Sequence, residues 1–155
     1  MVVAVADSCR VGGWLCRWRV PVDVSGRNPA YWPITDDLGG LRRQVGGYAG
    51  DAGLAGVRLQ DLVLAVNEAA ANVLDHAEGQ GHVLAWHDDR YVTVEIHDRL
   101  GLLVPAHANA SDPGVGRLRG RGLWLMGQLC DEVSIIRDDR GSAVRLRQAL
   151  TAARE

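Results

Sequence analysis

The strongest pattern of hydrophobic and polar positions lies in the middle of the chain and predicts an amphipathic helix over about residues 59–77. Its apolar residues recur at three- and four-residue steps, which places them in one stripe along a helix: Leu59, Leu62, Val63, Val66, Ala70, Val73 and Ala77. At ~100° per residue, Glu68 and Asn72 fall roughly opposite that stripe. Because they are four residues apart, one lies above the other on the same helix face.

Period-two alternation predicts strands on either side of this helix. Residues 14–22 alternate in part and predict a first strand. Residues 82–87 and 91–97 predict a hairpin joined by a short acidic turn, and residues 132–137 and 142–150 predict a second hairpin. In the strand at 91–97, apolar residues alternate with polar ones, which predicts one buried face.

The remaining segments are predicted from turn residues and caps. Residues 23–33 form a turn-rich loop, and Thr35 caps a helix over about residues 36–52. Residues 99–119 lack a regular period, and a stretch of this length in a compact domain indicates either a functional lid or a wrong assignment of the elements. A short helix follows over about residues 120–129.

This order of elements predicts an α+β fold, with helices on one face of a largely antiparallel sheet. We expect one domain over residues 14–150, between an N-terminal tail at 1–13 and a C-terminal tail at 151–155. A chain of 155 residues with 47% hydrophobic residues is large enough for one core.

Composition and charge narrow the function. The net charge of −2 argues against a direct nucleic-acid binder. All the basic residues apart from histidine are arginine, which excludes the phosphate-binding loop that ends in Gly-Lys-Ser/Thr. The three cysteines are odd in number and have no paired spacing, which favours free thiols without a zinc site. The apolar start of the chain is too short for a membrane span, so we expect a cytoplasmic protein.

Glu68 and Asn72 are the first candidates for chemistry. A carboxylate can take a proton or orient a hydroxyl, and an amide oxygen can ligate a hard cation such as Mg²⁺. The alternative to a functional role is that both residues lie on an ordinary solvated helix face, since this spacing also occurs by chance. A functional interpretation requires another segment to cover that face.

Four segments in fixed order resemble the motifs of the histidine-kinase-like ATPase superfamily, which has the Bergerat fold. Asn67-Glu68-Ala69-Ala70-Ala71-Asn72 resembles its N box, and Asp98 closes a strand where the family has D-x-G-x-G. Gly120-Arg121-Gly122-Leu123-Trp124-Leu125-Met126 resembles its second glycine box, and Gly141-Ser142-Ala143-Val144 resembles its final G-T-x-[VF] turn. The length and composition are similar to those of the anti-sigma factor serine kinases of actinobacteria.

The resemblance implies a two-layer α/β sandwich, with three helices on one face of the sheet and an ATP lid. It implies ATP and Mg²⁺ as cofactors, Glu68 as the general base, Asn72 as the Mg²⁺ ligand and Asp98 as the acceptor for the adenine amino group. The other residues that it places at the nucleotide are Gly101, Gly114, Gly116, Gly120, Arg121, Gly122, Leu123 and Ser142.

The implied function is that of a serine/threonine kinase that binds a sigma factor and phosphorylates a STAS-type anti-sigma factor antagonist. The resemblance also implies a homodimer through residues 14–52. One departure leaves an alternative open, because Leu100 and Leu102 stand where the family has glycines. The alternative is a protein-binding module of the same fold, with weak or lost ATP binding, that sequesters a regulatory partner.

Overall fold

The computed structural model describes residues 8–11, 14–17, 29–76, 81–98, 118–138 and 141–150. The elements in chain order are β1 (Ser8–Val11), β2 (Trp14–Arg17), β3 (Ala30–Pro33), α1 (Leu38–Asp51), α2 (Gly56–His76), β4 (Gly81–His87), β5 (Tyr91–Asp98), α3 (Leu118–Leu129), β6 (Glu132–Asp138) and β7 (Gly141–Ala149). No helix among these elements is both long enough and apolar enough to cross a membrane.

Five strands form one sheet in the order β3-β4-β5-β7-β6, and every neighbouring pair in it is antiparallel. β1 and β2 form a separate hairpin, with β2 close to the edge strand β6. Helix α2 packs on β4, β5 and β7, while α1 packs against one side of α2 and α3 against α2 and β6. The predicted α+β fold, an antiparallel sheet with helices, is confirmed.

The core lies between α2 and the sheet, and small residues let the two approach closely. Nearly all of the apolar side chains that α2 turns toward the sheet are buried: Leu62, Ala65, Val66, Ala69, Ala70 and Val73. The strands contribute the facing layer, with Val83, Ala85, Val92, Val94, Ile96, Val144 and Leu146. The periodicity that predicted this helix is therefore the pattern of its buried face.

Helix α1 shows that the predicted cap was wrong by two residues. Asp37 is the N-cap, and its carboxylate accepts a hydrogen bond from the backbone N–H of Gly40 at 2.8 Å. Thr35 instead accepts from the N–H of Asp37 at 3.2 Å. A carboxylate at this end also suits the positive end of the helix dipole, and this explains why the acid outcompetes the hydroxyl.

Two short strands lie where the sequence predicted none. β1 falls inside the segment expected to be a tail, and β3 falls inside the expected loop at 23–33. β3 is bounded by Pro29 and ends at Pro33, and proline normally argues against a strand. Proline is nevertheless tolerated at the edge of a sheet, where β3 lies with only β4 as its hydrogen-bonded neighbour in the described sheet.

The prediction of one buried face for β5 was also incomplete, because polar residues of its second face are buried too. Glu95 on that face is 0% exposed, and its carboxylate lies 3.0 Å from Nη2 of Arg145 on β7 and 3.0 Å from Nε2 of His97. The Arg145 guanidinium lies over the ring of Trp86, and the ring of His97 stacks on that of His82 at 4.4 Å. Side chains from β5 itself and from β7 thus enclose this carboxylate, and two rings of β4 pack on those side chains.

A polar clamp joins the start of α2 to the end of α3 and to β7. The Arg58 guanidinium donates to the carbonyl of Ala149 at 3.0 Å and to the carboxylate of Asp131. The buried amide of Gln148 accepts from the N–H of Asp131 at 3.0 Å and donates to the carbonyl of Leu129 at 3.1 Å. This clamp fixes the C-terminal end of α3 beside the N-terminal end of α2.

Several predictions lie outside the described residues. They include most of the expected lid, the whole C-terminal tail and residues 18–22 of the first predicted strand. The domain bounds and the homodimer through residues 14–52 stay predictions.

We expect Gln148→Leu to lower the free energy of unfolding by about 2–4 kcal/mol, because it leaves the N–H of Asp131 and the carbonyl of Leu129 without this partner. Urea denaturation measures the change. The control is Gln128→Leu, the same substitution at an exposed position of α3, for which we expect a change within about 0.5 kcal/mol. Equal effects of the two variants would contradict the role of the clamp.

Candidate functional site

Helix α2 places Glu68 and Asn72 one above the other on its flank. At ~1.5 Å per residue, the two positions are about 6 Å apart along the helix axis. Both side chains are half-buried rather than fully exposed. The buried face of α2 is wider than the stripe seen in the sequence, since Ala65 and Ala69 belong to it as well. This brings the polar pair closer to the edge of the packed face than the sequence predicted.

The end of α2 that carries Asn72 lies directly on the sheet. Val73, the next residue along the chain, is buried and packs at Gly81, the first residue of β4. Ile34, which follows β3, encloses Gly81 from another side and donates its N–H to the carbonyl of Gly81 at 3.1 Å. No sequence pattern singles out Gly81 or Ile34, because the importance of each depends only on its position in the fold.

Asp98 and Ser142 meet at this same end of the sheet. Strand register pairs Asp98 with Gly81 on one side and with Ser142 on the other. Residues directly opposite each other share a face of the sheet, so both side chains lie on the face that α2 covers. They are 4% and 3% exposed. The sheet thus brings together two of the residues that the sequence singled out separately.

The N-terminal end of α3 extends toward this group. The clamp holds the last turn of α3 near Arg58, and α3 packs along α2. Twelve residues of helix span about 18 Å, which matches the stretch of α2 from Arg58 to between Glu68 and Asn72. Gly120 and Arg121 lie in the first turn of α3, where backbone N–H groups have no partner within the helix. The prediction that α3 begins at Gly120 was wrong by two residues.

Only some of the other candidate residues lie in the part of the chain that the structure describes. Gly122 and Leu123 also belong to the start of α3, and its backbone alone is described there. Gly101, Gly114 and Gly116 lie outside the described residues, as do Leu100 and Leu102. The structure therefore brings Asp98 and Ser142 together, and Val73, the residue after Asn72, packs beside them at Gly81. Glu68 lies one turn before Asn72 on α2.

Asn67, beside Glu68 in the chain, points away from this group. Its amide oxygen accepts a hydrogen bond from Nη1 of Arg42 on α1 at 2.8 Å. The contact ties α1 to α2 on the side opposite α3. Of the two asparagines that bracket the N-box segment, Asn67 therefore holds the helix layer together.

The oxygen atoms of the candidate site suit a cation that is held mainly by a bound ligand rather than by the protein. Among the described residues, no group of three or more His, Cys, Asp or Glu side chains could hold a metal ion. Mg²⁺ keeps several waters and is commonly bound through one or two protein oxygens together with substrate phosphates. One amide oxygen at Asn72 is compatible with that mode, whereas a site built from protein ligands alone is not supported in these parts of the chain.

Cys130 does not offer a nucleophile. It is a free thiol, buried between α3 and β6. Burial, together with the nearby carboxylates of Asp131 and Asp61, raises its pKa to about 12. The thiol therefore stays protonated at neutral pH, and only the thiolate is reactive.

Comparison with known proteins places this geometry in a family. Residues 32–148 match the family model described as a histidine kinase-like ATPase domain. The match covers the sheet from β3 to β7 and all three helices. No curated protein matches the chain.

The turn before Ser142 gives a test of the local backbone. Gly141 has a φ of +128°, a conformation that a side chain strains. We expect Gly141→Ala to lower the free energy of unfolding by about 1–3 kcal/mol, measured by urea denaturation. Gly47→Ala in α1 is the control, because its added Cβ meets no atom within 4 Å, and we expect a gain of about 0.5–1 kcal/mol. A Gly141→Ala protein as stable as the original would refute the strain.

Proposed function

The chain belongs to the histidine kinase-like ATPase family, and on this premise we propose that it is an ATP-dependent serine/threonine kinase of the anti-sigma factor class. In this proposal it acts in the cytoplasm, binds a sigma factor and phosphorylates a STAS-type antagonist. The family's domain implies nucleotide binding. The observation that supports the proposal is the pairing of Asp98 with Ser142 at the end of the sheet where Val73, the residue after Asn72, packs on Gly81.

Asp98 supplies the acceptor for the base. A carboxylate has two oxygens that accept hydrogen bonds, and the amino group of adenine is a donor of suitable chemistry for the carboxylate at the end of β5. Ser142 faces the same space from β7 and adds a hydroxyl that both donates and accepts. Together they favour a purine with an exocyclic amino group.

The phosphates lie toward the flank of α2 and the first turn of α3. Free N–H groups at a helix N-terminus bind phosphate well, and Gly120 and Gly122 add no side chains to that end of α3. Asn72 contributes its amide oxygen to Mg²⁺, which would neutralise phosphate charge when the nucleotide is bound.

Glu68 takes the proton in phosphoryl transfer. The bond between the γ-phosphorus and the β,γ-bridging oxygen breaks, a bond to the hydroxyl oxygen of the acceptor serine forms, and the hydroxyl proton passes to the Glu68 carboxylate. ADP leaves, and the product is phosphoserine on the partner protein. Since Glu68 is half-buried on a helix flank rather than enclosed in the core, a protein substrate can reach it.

A second candidate function is a protein-binding module that has lost ATP. It is favoured by Leu100 and Leu102 at the positions where the family has glycines. The two functions differ in whether the purified protein binds Mg²⁺-ATP, so nucleotide binding is measured before any search for a partner.

We expect Mg²⁺-dependent ATP binding in calorimetric titration, weakened about ten- to a hundredfold by Asn72→Ala. The matched control is Asn67→Ala, which removes the same group from the same helix but from the side bonded to Arg42, and it should bind ATP like the original. Absence of binding at millimolar ATP would reject the kinase and favour the binding module. Equal losses in both variants would reject Asn72 as the cation ligand.

We expect Glu68→Gln to lower phosphate transfer by about 10²- to 10⁴-fold while the Kd for ATP stays unchanged, because a general base acts in the reaction rather than in binding. Transfer from radiolabelled ATP to a panel of purified STAS-type antagonists measures it. Asp75→Asn, an exposed acid on the same helix, is the control. Undiminished transfer in Glu68→Gln would remove Glu68 from the mechanism.

A further inference from the structure

Gly81 is enclosed by atoms of α2, of the neighbouring strand and of Ile34. A Cβ built on it would lie 2.7 Å from Cγ1 of Val73 and 3.2 Å from Cδ1 of Ile34, and it would also collide with the backbone carbonyl of His97. A separation below 3.0 Å forces a shift of one of the atoms. The space that a side chain would take at this position is already filled by α2 and by the neighbouring strand.

This position controls how closely α2 approaches Asp98. Gly81 is the strand partner of Asp98, so a side chain on Gly81 would project on the same face, beside the buried carboxylate. The side chain of Val73, the residue after Asn72, occupies that place from the helix side of the sheet. The height of the last turns of α2 over the sheet therefore depends on the absence of a side chain at residue 81.

We infer that Gly81 is a positioning residue for the nucleotide, and the inference rests on the proposed function. It sets the separation between the group that holds the base, Asp98 on β5, and the group that holds the phosphate end, Asn72 on α2. Both groups must contact one rigid ligand at once. A displacement of α2 weakens the binding of a ligand that spans the two ends, although each end still binds its own part of that ligand.

A positioning role and a purely structural role of Gly81 predict different changes in ligand affinity. Loss of stability lowers the concentration of folded protein and affects every ligand equally. A changed separation acts only on a ligand that needs both ends, because the two contacts no longer reinforce each other through one molecule. Adenosine and inorganic tripolyphosphate are the two halves of ATP and report on the two ends separately.

The test compares Gly81→Ala with the original protein, using ATP, adenosine and tripolyphosphate, each with Mg²⁺, in ligand-observed NMR titrations. We expect the affinity for ATP to fall about ten- to a hundredfold, while the affinities for the two halves change by less than about twofold. Gly50→Ala in α1, whose added Cβ meets no atom within 4 Å, is the control and should leave all three affinities unchanged.

A second variant tests whether the loss of ATP affinity comes from the collision with α2. Gly81→Ala combined with Val73→Ala removes the side chain that the new Cβ meets from the helix side, and it should recover part of the ATP affinity. Parallel losses for all three ligands, a loss confined to adenosine, or an unchanged ATP affinity in folded Gly81→Ala would each overturn the positioning role. An original protein that binds no ATP would overturn the proposed function and this inference together.

Discussion

The packing of α2 on the centre of the sheet is the constraint on which the rest of the structure depends. Alanines at 65, 69 and 70 bring the helix close to strands β4, β5 and β7, and close packing of this kind leaves no voids for side chains to move into. The rotation of the helix is thereby fixed, and with it the flank on which Glu68 and Asn72 lie. α1 and α3 then each pack on α2.

The second face of the sheet carries charge where the first carries the apolar core. Glu95 is enclosed by Arg145 and His97, and a buried ion pair is weak evidence for added stability, because desolvation offsets most of the attraction. The ion pair instead favours one arrangement of the strands over the alternatives. Removing Arg145 would leave a buried carboxylate without its cationic partner, so the pairing of β5 with β7 favours one register. That register is the one that sets Asp98 opposite Ser142.

The parts of the fold that could be predicted from the sequence are those in which local pattern and tertiary burial agree. The stripe of α2 and the two hairpins have strong periods, and the structure confirms them. β3 could not be predicted, because a four-residue strand between prolines depends on β4 rather than on its own residues. Burial of Glu95 depends likewise on neighbouring strands. The resemblance of motifs singled out Asn72 and Asp98, but only strand register reveals that Gly81 lies opposite Asp98.

The two acids of the candidate site differ in environment, and this assigns them different tasks in the proposed kinase. Asp98 is at the end of a central strand, nearly without exposed surface, so it can select a fixed donor but cannot reach a hydroxyl on another protein. Glu68 is on a helix flank that solvent still reaches, so it can receive a proton from an incoming side chain. A general base must lie within hydrogen-bond reach of the proton that it removes. Recognition of the nucleotide therefore belongs to the sheet, and chemistry on a protein substrate belongs to the helix.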